Sequence, residues 1–224
     1  MIIFADIICP FPGPRRTIRR HGVSALSAAI AFTLTVAPAA AHDFGRTSDL
    51  YASFVEGGGV VLSDIALLLA MAAAGCLTSI WDREGMPKIW PALAAGILAG
   101  FAAPLAFFTL PALASLGTAV LLGLLAAAAL RLPLSAARAI LFAAGLALTV
   151  GTLGGHEAGS VPIGAYLGIF FTLNAGVVVA AALVTLARRH FNERVALIAA
   201  RALSSWLVAI AVMLLALSFR QAGA

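Results

Sequence analysis

Charge is what this chain has least of. Of 224 residues only 14 are Lys or Arg and 9 are Asp or Glu, 10% in all, where a soluble domain carries about 25%. Between Lys88 and Arg131 there is no charged side chain, and the same is true from Ala158 to Ala187 and from Ala202 to Phe219. A bilayer core about 30 Å thick takes roughly 20 apolar residues per helix, and a charge stranded in it costs about 3 kcal/mol or more. With 62% hydrophobic residues and a mean hydropathy of +1.07, these runs predict an all-α, polytopic membrane helical bundle in direct contact with the lipid bilayer. Cysteine is nearly absent too. Cys9 and Cys76 are the two present, the first in a leader and the second in an apolar span, so neither a disulfide nor redox chemistry is expected. There is no phosphate-binding glycine loop, no Ser-His-Asp arrangement and no CxxC. Nothing in the residues argues for an enzyme or for a tightly bound cofactor.

What charge there is sits in informative places. The sequence pI of 10.2 would suit a nucleic-acid partner, but Arg15, Arg16, Arg19 and Arg20 supply most of the net +5. They precede the apolar run Val23 to Val36 and the small residues Ala39-Ala40-Ala41, the order of a cleaved signal peptide. Residues 1–41 are therefore expected to leave, with cleavage after Ala41 and His42 as the new N-terminus. Their removal takes four Arg and Asp6 from fourteen basic and nine acidic residues, leaving ten and eight, a mature charge of +2. The nucleic-acid reading falls with that leader.

The remaining chain divides into a segment 42–59, six spans within 60–219 and a tail 220–224. The spans are Val60–Trp81, Trp90–Leu110, Ala112–Leu130, Ser135–Leu153, Val161–Ala187 and Ala196–Phe219. The uncharged stretch from Ile89 to Leu130 is too long for one helix, and Pro111 is its natural break. If His42 lies outside the cell, loops 82–89, 131–134 and 188–195 face the cytoplasm. Arg83, Lys88, Arg131, Arg188, Arg189 and Arg194 fall in those loops, with Arg138 and Arg201 just inside the adjoining helices. Only Arg46 and Arg220 lie on the other side, as the positive-inside rule requires. Trp81 and Trp90 flank the first of these loops as interfacial anchors, and His190 sits in a basic cluster of the kind that faces anionic lipid. Gly96 with Gly100, and Gly164 with Gly168, are small pairs four apart that permit close helix contact.

Orientation sorts the other polar residues. His42, Asp43, Asp49, Glu56, Asp64, His156 and Glu157 gather on the side away from the arginines. Imidazole and carboxylate are ligands for nickel, cobalt, zinc and similar divalent metals. His42 would add its free amine; His156 and Glu157 lie in a glycine-rich loop, Gly154 to Gly159. Asp64 stands about one turn inside the first span, with Leu68 and Met71 further along the same helical face. Asn174, beside Leu173 and Thr172, is a polar residue near the middle of the fifth span. It either lines a path or bonds across helices.

The order of these features resembles the HupE/UreJ family of hydrogenase- and urease-accessory membrane proteins. The family's first motif reads roughly G-F-x-H-P-x-x-G-x-D-H-x-x-A-M-x-x-x-G; here Gly57, Ala70, Met71 and Gly75 match, while Val60, Ala66 and Leu67 stand where the family has His, Asp and His. A shift of two residues lets Asp64 take the Asp position. In the second motif, H-G-x-A-H-G-x-E, His156 matches the second His, Thr152 replaces the first, and Glu157 lies two residues before the family Glu. Ala165-Tyr166-Leu167-Gly168-Ile169 and Leu173-Asn174-Ala175-Gly176 follow, with Asn174 where a deeper His would be. The resemblance implies a multi-pass protein of the bacterial inner membrane with a periplasmic N-terminus, acting as a permease for Ni²⁺ or Co²⁺. His42, Asp64, His156 and Glu157 would then be the metal ligands, and Met71 and Asn174 would lie on the transport path. The alternative is a non-transporting membrane accessory subunit that has lost the family's ligands.

Overall fold

Long apolar runs punctuated by loops give helices, and the computed structural model contains seven of them and no strand among the residues it describes, 49–82, 85–102, 111–154 and 161–222. The helices are α1 (Leu50–Ser63), α2 (Ile65–Trp81), α3 (Gly85–Ala102), α4 (Pro111–Ala128), α5 (Leu134–Leu153), α6 (Ile163–His190) and α7 (Glu193–Ala222). The expected signal peptide, His42, His156 and Glu157 lie outside the described residues. α5, α6 and α7 are each long and apolar enough to cross a membrane; α1 and α2 make a fourth if taken as one span. The apolar stretches Met86–Ala102 and Leu113–Ala128 are shorter. Pro111 opens α4 as its first residue, where its missing N–H costs nothing and its fixed φ suits the helix.

The first span departs from expectation. Helix begins at Leu50 rather than Val60 and breaks at Asp64, with α1 and α2 inclined at 80° to one another. Both lean on α6, whose 28 residues reach about 42 Å at 1.5 Å each. α1 takes the first half of α6. A Cβ on Gly57 would strike the Ala165 backbone, one on Gly164 would meet Ser53 and Leu50, and one on Gly168 would meet Phe54 and Gly58. α2 takes the second half, where Met71 covers Gly176 and Gly75 abuts Ala180 and Ala181.

A second such pair is α3 with α5. Gly96 lies against the Phe142 backbone, Gly100 against Thr149, and Gly145 against Leu93 and Ile97. Thr149 Oγ1 also donates across the contact to Ile97 O at 3.2 Å. α7 is the peripheral helix. It buries a narrow seam of Ala196, Ala200, Ser204, Leu207 and Ala211, packing Val208 over Gly123 of α4, and leaves Trp206, Met213 and Ile198 exposed. Exposed apolar side chains on a helix of membrane length are the surface that lipid covers.

The ends of the helices are tied together by polar groups at one end of the bundle. Trp81 Nε1 donates to Leu132 O at 2.8 Å, Arg138 Nε to Lys88 O at 3.2 Å, and Arg201 Nε to Ala127 O at 2.8 Å. Arg188 donates to Ser79 O, and Lys88 pairs with Asp82. These contacts bring the connections α2–α3, α4–α5 and α6–α7 to the same end, so the basic loops share one face of the bundle. Trp81 is thus a clasp between helices, whereas Trp90 is 43% exposed.

If the Gly57–Ala165 contact holds α1 on α6, Gly57→Val should lower the thermal midpoint of the detergent-purified protein by an overpacking cost of about 1–3 kcal/mol. Gly59, with nothing within 4 Å of an added Cβ, gives the control: Gly59→Ala should leave the midpoint unchanged or raise it, by up to about 1 kcal/mol. Equal effects of the two variants would refute the packing assignment.

Candidate functional site

Asp64 is where the first span turns. The carboxylate accepts from Ala66 N at 2.8 Å, which makes Asp64 the N-cap of α2, and its carbonyl accepts from Leu68 N at 3.1 Å. An Asp at that position holds an N–H that a helix start would otherwise leave unpaired, and its negative charge complements the positive end of the helix dipole. On the α1 side, Ser63 Oγ donates to Val60 O at 3.0 Å. The break therefore has a local cause in two adjacent polar residues that satisfy the backbone groups it frees.

Its depth follows from the flanking contacts. Before the break, a Cβ on Gly58 would lie 2.9 Å from Thr172 Oγ1; after it, Met71 lies against Gly176. Asp64 is bracketed between them, level with the middle of α6 rather than one turn inside the membrane end of a continuous helix. It is only partly buried, between the exposed Leu62 and Ile65. Leu68 is 39% exposed and Met71 2% exposed, so the face expected to carry a path runs from the surface into the packed core. The Met71 thioether fills the space over Gly176.

Asn174 occupies the same level on a different side. Two residues of α-helix turn through about 200°, so Asn174 points away from the side on which Thr172 meets α1. Its Nδ2 donates to Phe170 O at 2.7 Å, while its Oδ1 is buried without a partner. One turn and two turns before it on that side lie Phe170 and Tyr166; the Tyr166 ring meets Phe101 of α3 edge-on at 5.1 Å. Asp64 and Asn174 thus share a depth but not a face. Among the described residues, no group of three or more His, Cys, Asp or Glu converges as a metal site.

Sequence reasoning passed over Arg188. It opens the basic run Arg188-Arg189-His190, with no pattern to separate it from Arg189, yet its side chain is 9% exposed. It donates to Ser79 O and, at 2.6 Å, to Glu193 Oε1, while Ser79 Oγ donates to Ala181 O at 2.9 Å. This clamp fastens the end of α2 to α6 and to the start of α7. The long α6, with arginine in its last turn, makes it reachable. Comparison of the chain with family models, with curated proteins and with solved structures gives no match.

Two outcomes test these roles. Asp64→Ala should destabilise the purified protein by about 1 kcal/mol while Asp64→Asn, an equally good cap, should not; a thermal midpoint unchanged by alanine would remove the capping role. Arg188→Ala should cost about 1–3 kcal/mol, since it strands a buried carbonyl, and the exposed Arg189→Ala far less. Matching shifts for the two arginines would sink the clamp.

Proposed function

We propose that the chain is a HupE/UreJ-type integral protein of the bacterial inner membrane, with six spans, a periplasmic N-terminus and its basic loops in the cytoplasm, that passes Ni²⁺ or Co²⁺ inward. The observation that carries this reading is the partly buried Asp64 carboxylate at a helix break level with the middle of α6. An ionisable side chain at membrane depth is costly and is retained where it serves a path, and broken helices are how many transporters expose polar groups to an ion. In this reading His42, His156 and Glu157 capture the ion at the outer face and Asp64 receives it. A site with few ligands suits conduction, because an ion held too tightly does not leave.

The second reading is a non-transporting accessory subunit. It is favoured by the structural employment of two expected path residues, Asp64 as a helix cap and Met71 as filler over Gly176. The gene neighbourhood offers a cheap discriminator, since hydrogenase, urease or cobalamin genes alongside favour transport.

Asp64→Asn separates the readings directly, because it keeps the cap and removes the charge. Radiolabelled nickel and cobalt uptake would be compared in a transport-deficient bacterial host for the native chain, Asp64→Asn and His156→Ala at equal membrane abundance. The permease reading expects uptake by the native chain and a loss of tenfold or more, about 1.4 kcal/mol, in both variants. No uptake by a well-expressed native chain leaves the accessory reading; uptake indifferent to Asp64→Asn removes Asp64 from the path.

A further inference from the structure

Toward the basic end of the bundle, starting one turn beyond Asn174, α2, α3 and α6 enclose an open groove of about 700 Å³. Its wall along α6 is apolar, with Val178, Val179, Ala182, Leu183 and Leu186. Its rim carries Arg189, Lys88 and Asp82. Lys88 and Asp82 pair with one another, and among the described residues of the rim Arg189 is the exposed cation beside that pair.

The dimensions narrow the occupant. From Val178 to Arg189 α6 rises roughly 16 Å, about half of a 30 Å hydrocarbon core. The groove therefore runs the depth of one leaflet, from the middle of the membrane to the level where headgroups begin. In a bilayer an apolar groove on a lipid-facing helix fills with acyl chain, and a cation at its headgroup end selects for negative charge. We infer that this groove is a binding site for one anionic phospholipid, its acyl chain along Val178 to Leu186 and its phosphate at Arg189. The site depends on the membrane reading of the chain and is independent of metal transport.

The test uses the purified full chain in detergent, titrated with phosphatidylglycerol or with phosphatidylcholine of the same acyl chains and read by native mass spectrometry. The site predicts one retained phosphatidylglycerol and a preference over phosphatidylcholine of about fivefold, the worth of one basic side chain at an anionic surface. Arg189→Gln should abolish that preference while leaving phosphatidylcholine binding unchanged. Ala182→Trp, which fills the groove and keeps the charge, should remove the retained lipid of either kind without shifting the thermal midpoint of the lipid-free protein. Arg194→Gln, on the same basic connection but outside the groove, should change nothing. Equal binding of the two lipids, indifference to both Arg189→Gln and Ala182→Trp, or an equal loss with Arg194→Gln would overturn the proposal.

Discussion

The close approach of α1 and α2 to α6 is the contact on which the other features depend. Within lipid the hydrophobic effect does not draw helices together, since hydrocarbon tails are as apolar as leucine; what remains is packing density and the few hydrogen bonds that cross between helices. Gly57, Gly164, Gly168 and Gly176 let backbone or side chain fill space that any Cβ would occupy. Because α6 is long, it offers two such surfaces in succession. The 80° break between α1 and α2 is possible because each half finds its own seat on that one helix. A broken span without two seats would expose a helix end to lipid and gain nothing in return.

The second constraint is the backbone itself. Each helix ends with unpaired carbonyl or amide groups, and in a membrane those groups must be satisfied by the protein or lie where water reaches. Here the basic end of the bundle supplies donors from neighbouring helices: Trp81 to Leu132, Arg138 to Lys88, Arg201 to Ala127 and Arg188 to Ser79. The arginines clustered at this end are thus also, with Trp81, the donors that lock helix to helix. At the break the same need is met by Asp64 and Ser63. Both the bundle end and the break are polar for a structural reason, whatever else they do.

Hydropathy made most of the helices legible. α5 starts at Leu134 where Ser135 was expected, α6 covers Ile163–His190 against Val161–Ala187, and α7 covers Glu193–Ala222 against Ala196–Phe219. The extra residues at those ends include Arg188, Arg189, Glu193, Arg194 and Arg220, which a hydropathy count assigns to loops although they continue the helix, and Arg188 also donates to α2. The small pairs Gly96–Gly100 and Gly164–Gly168 likewise point to real contacts. The break at Asp64 was not legible, because apolar residues continue on both sides and neither Gly nor Pro interrupts Leu62 to Ala66. The available sign was Asp64 itself as a helix-starting residue, outweighed by the unbroken hydropathy. The clamp at Arg188 and the groove beside α6 were not legible either, since each is assembled from residues far apart in sequence.

The same division explains how much of the candidate site could be read in advance. The positions that match the HupE/UreJ motifs among the described residues are Gly57, Ala70, Met71, Gly75, Ala165, Tyr166 and Leu173. Gly57 and Ala165 meet each other, Met71 and Gly75 pack on α6, Ala70 and Leu173 are wholly buried, and Tyr166 sets its ring on Phe101. They are packing positions, where volume and backbone access are demanded and a substitution would push helices apart. Where the resemblance fails, at Val60, Ala66 and Leu67 in one motif and Asn174 in the other, the side chain here is apolar or smaller than the motif's imidazole or carboxylate. A ligand can be exchanged without disturbing its neighbours if its new side chain fits; a glycine under a facing backbone cannot. The scaffold is therefore the more readable part of such a sequence, and the chemistry rests on the few polar side chains that the packing does not require. Asn174 Oδ1 is the clearest of these, buried with no partner, whereas Asp64 answers to both demands at once.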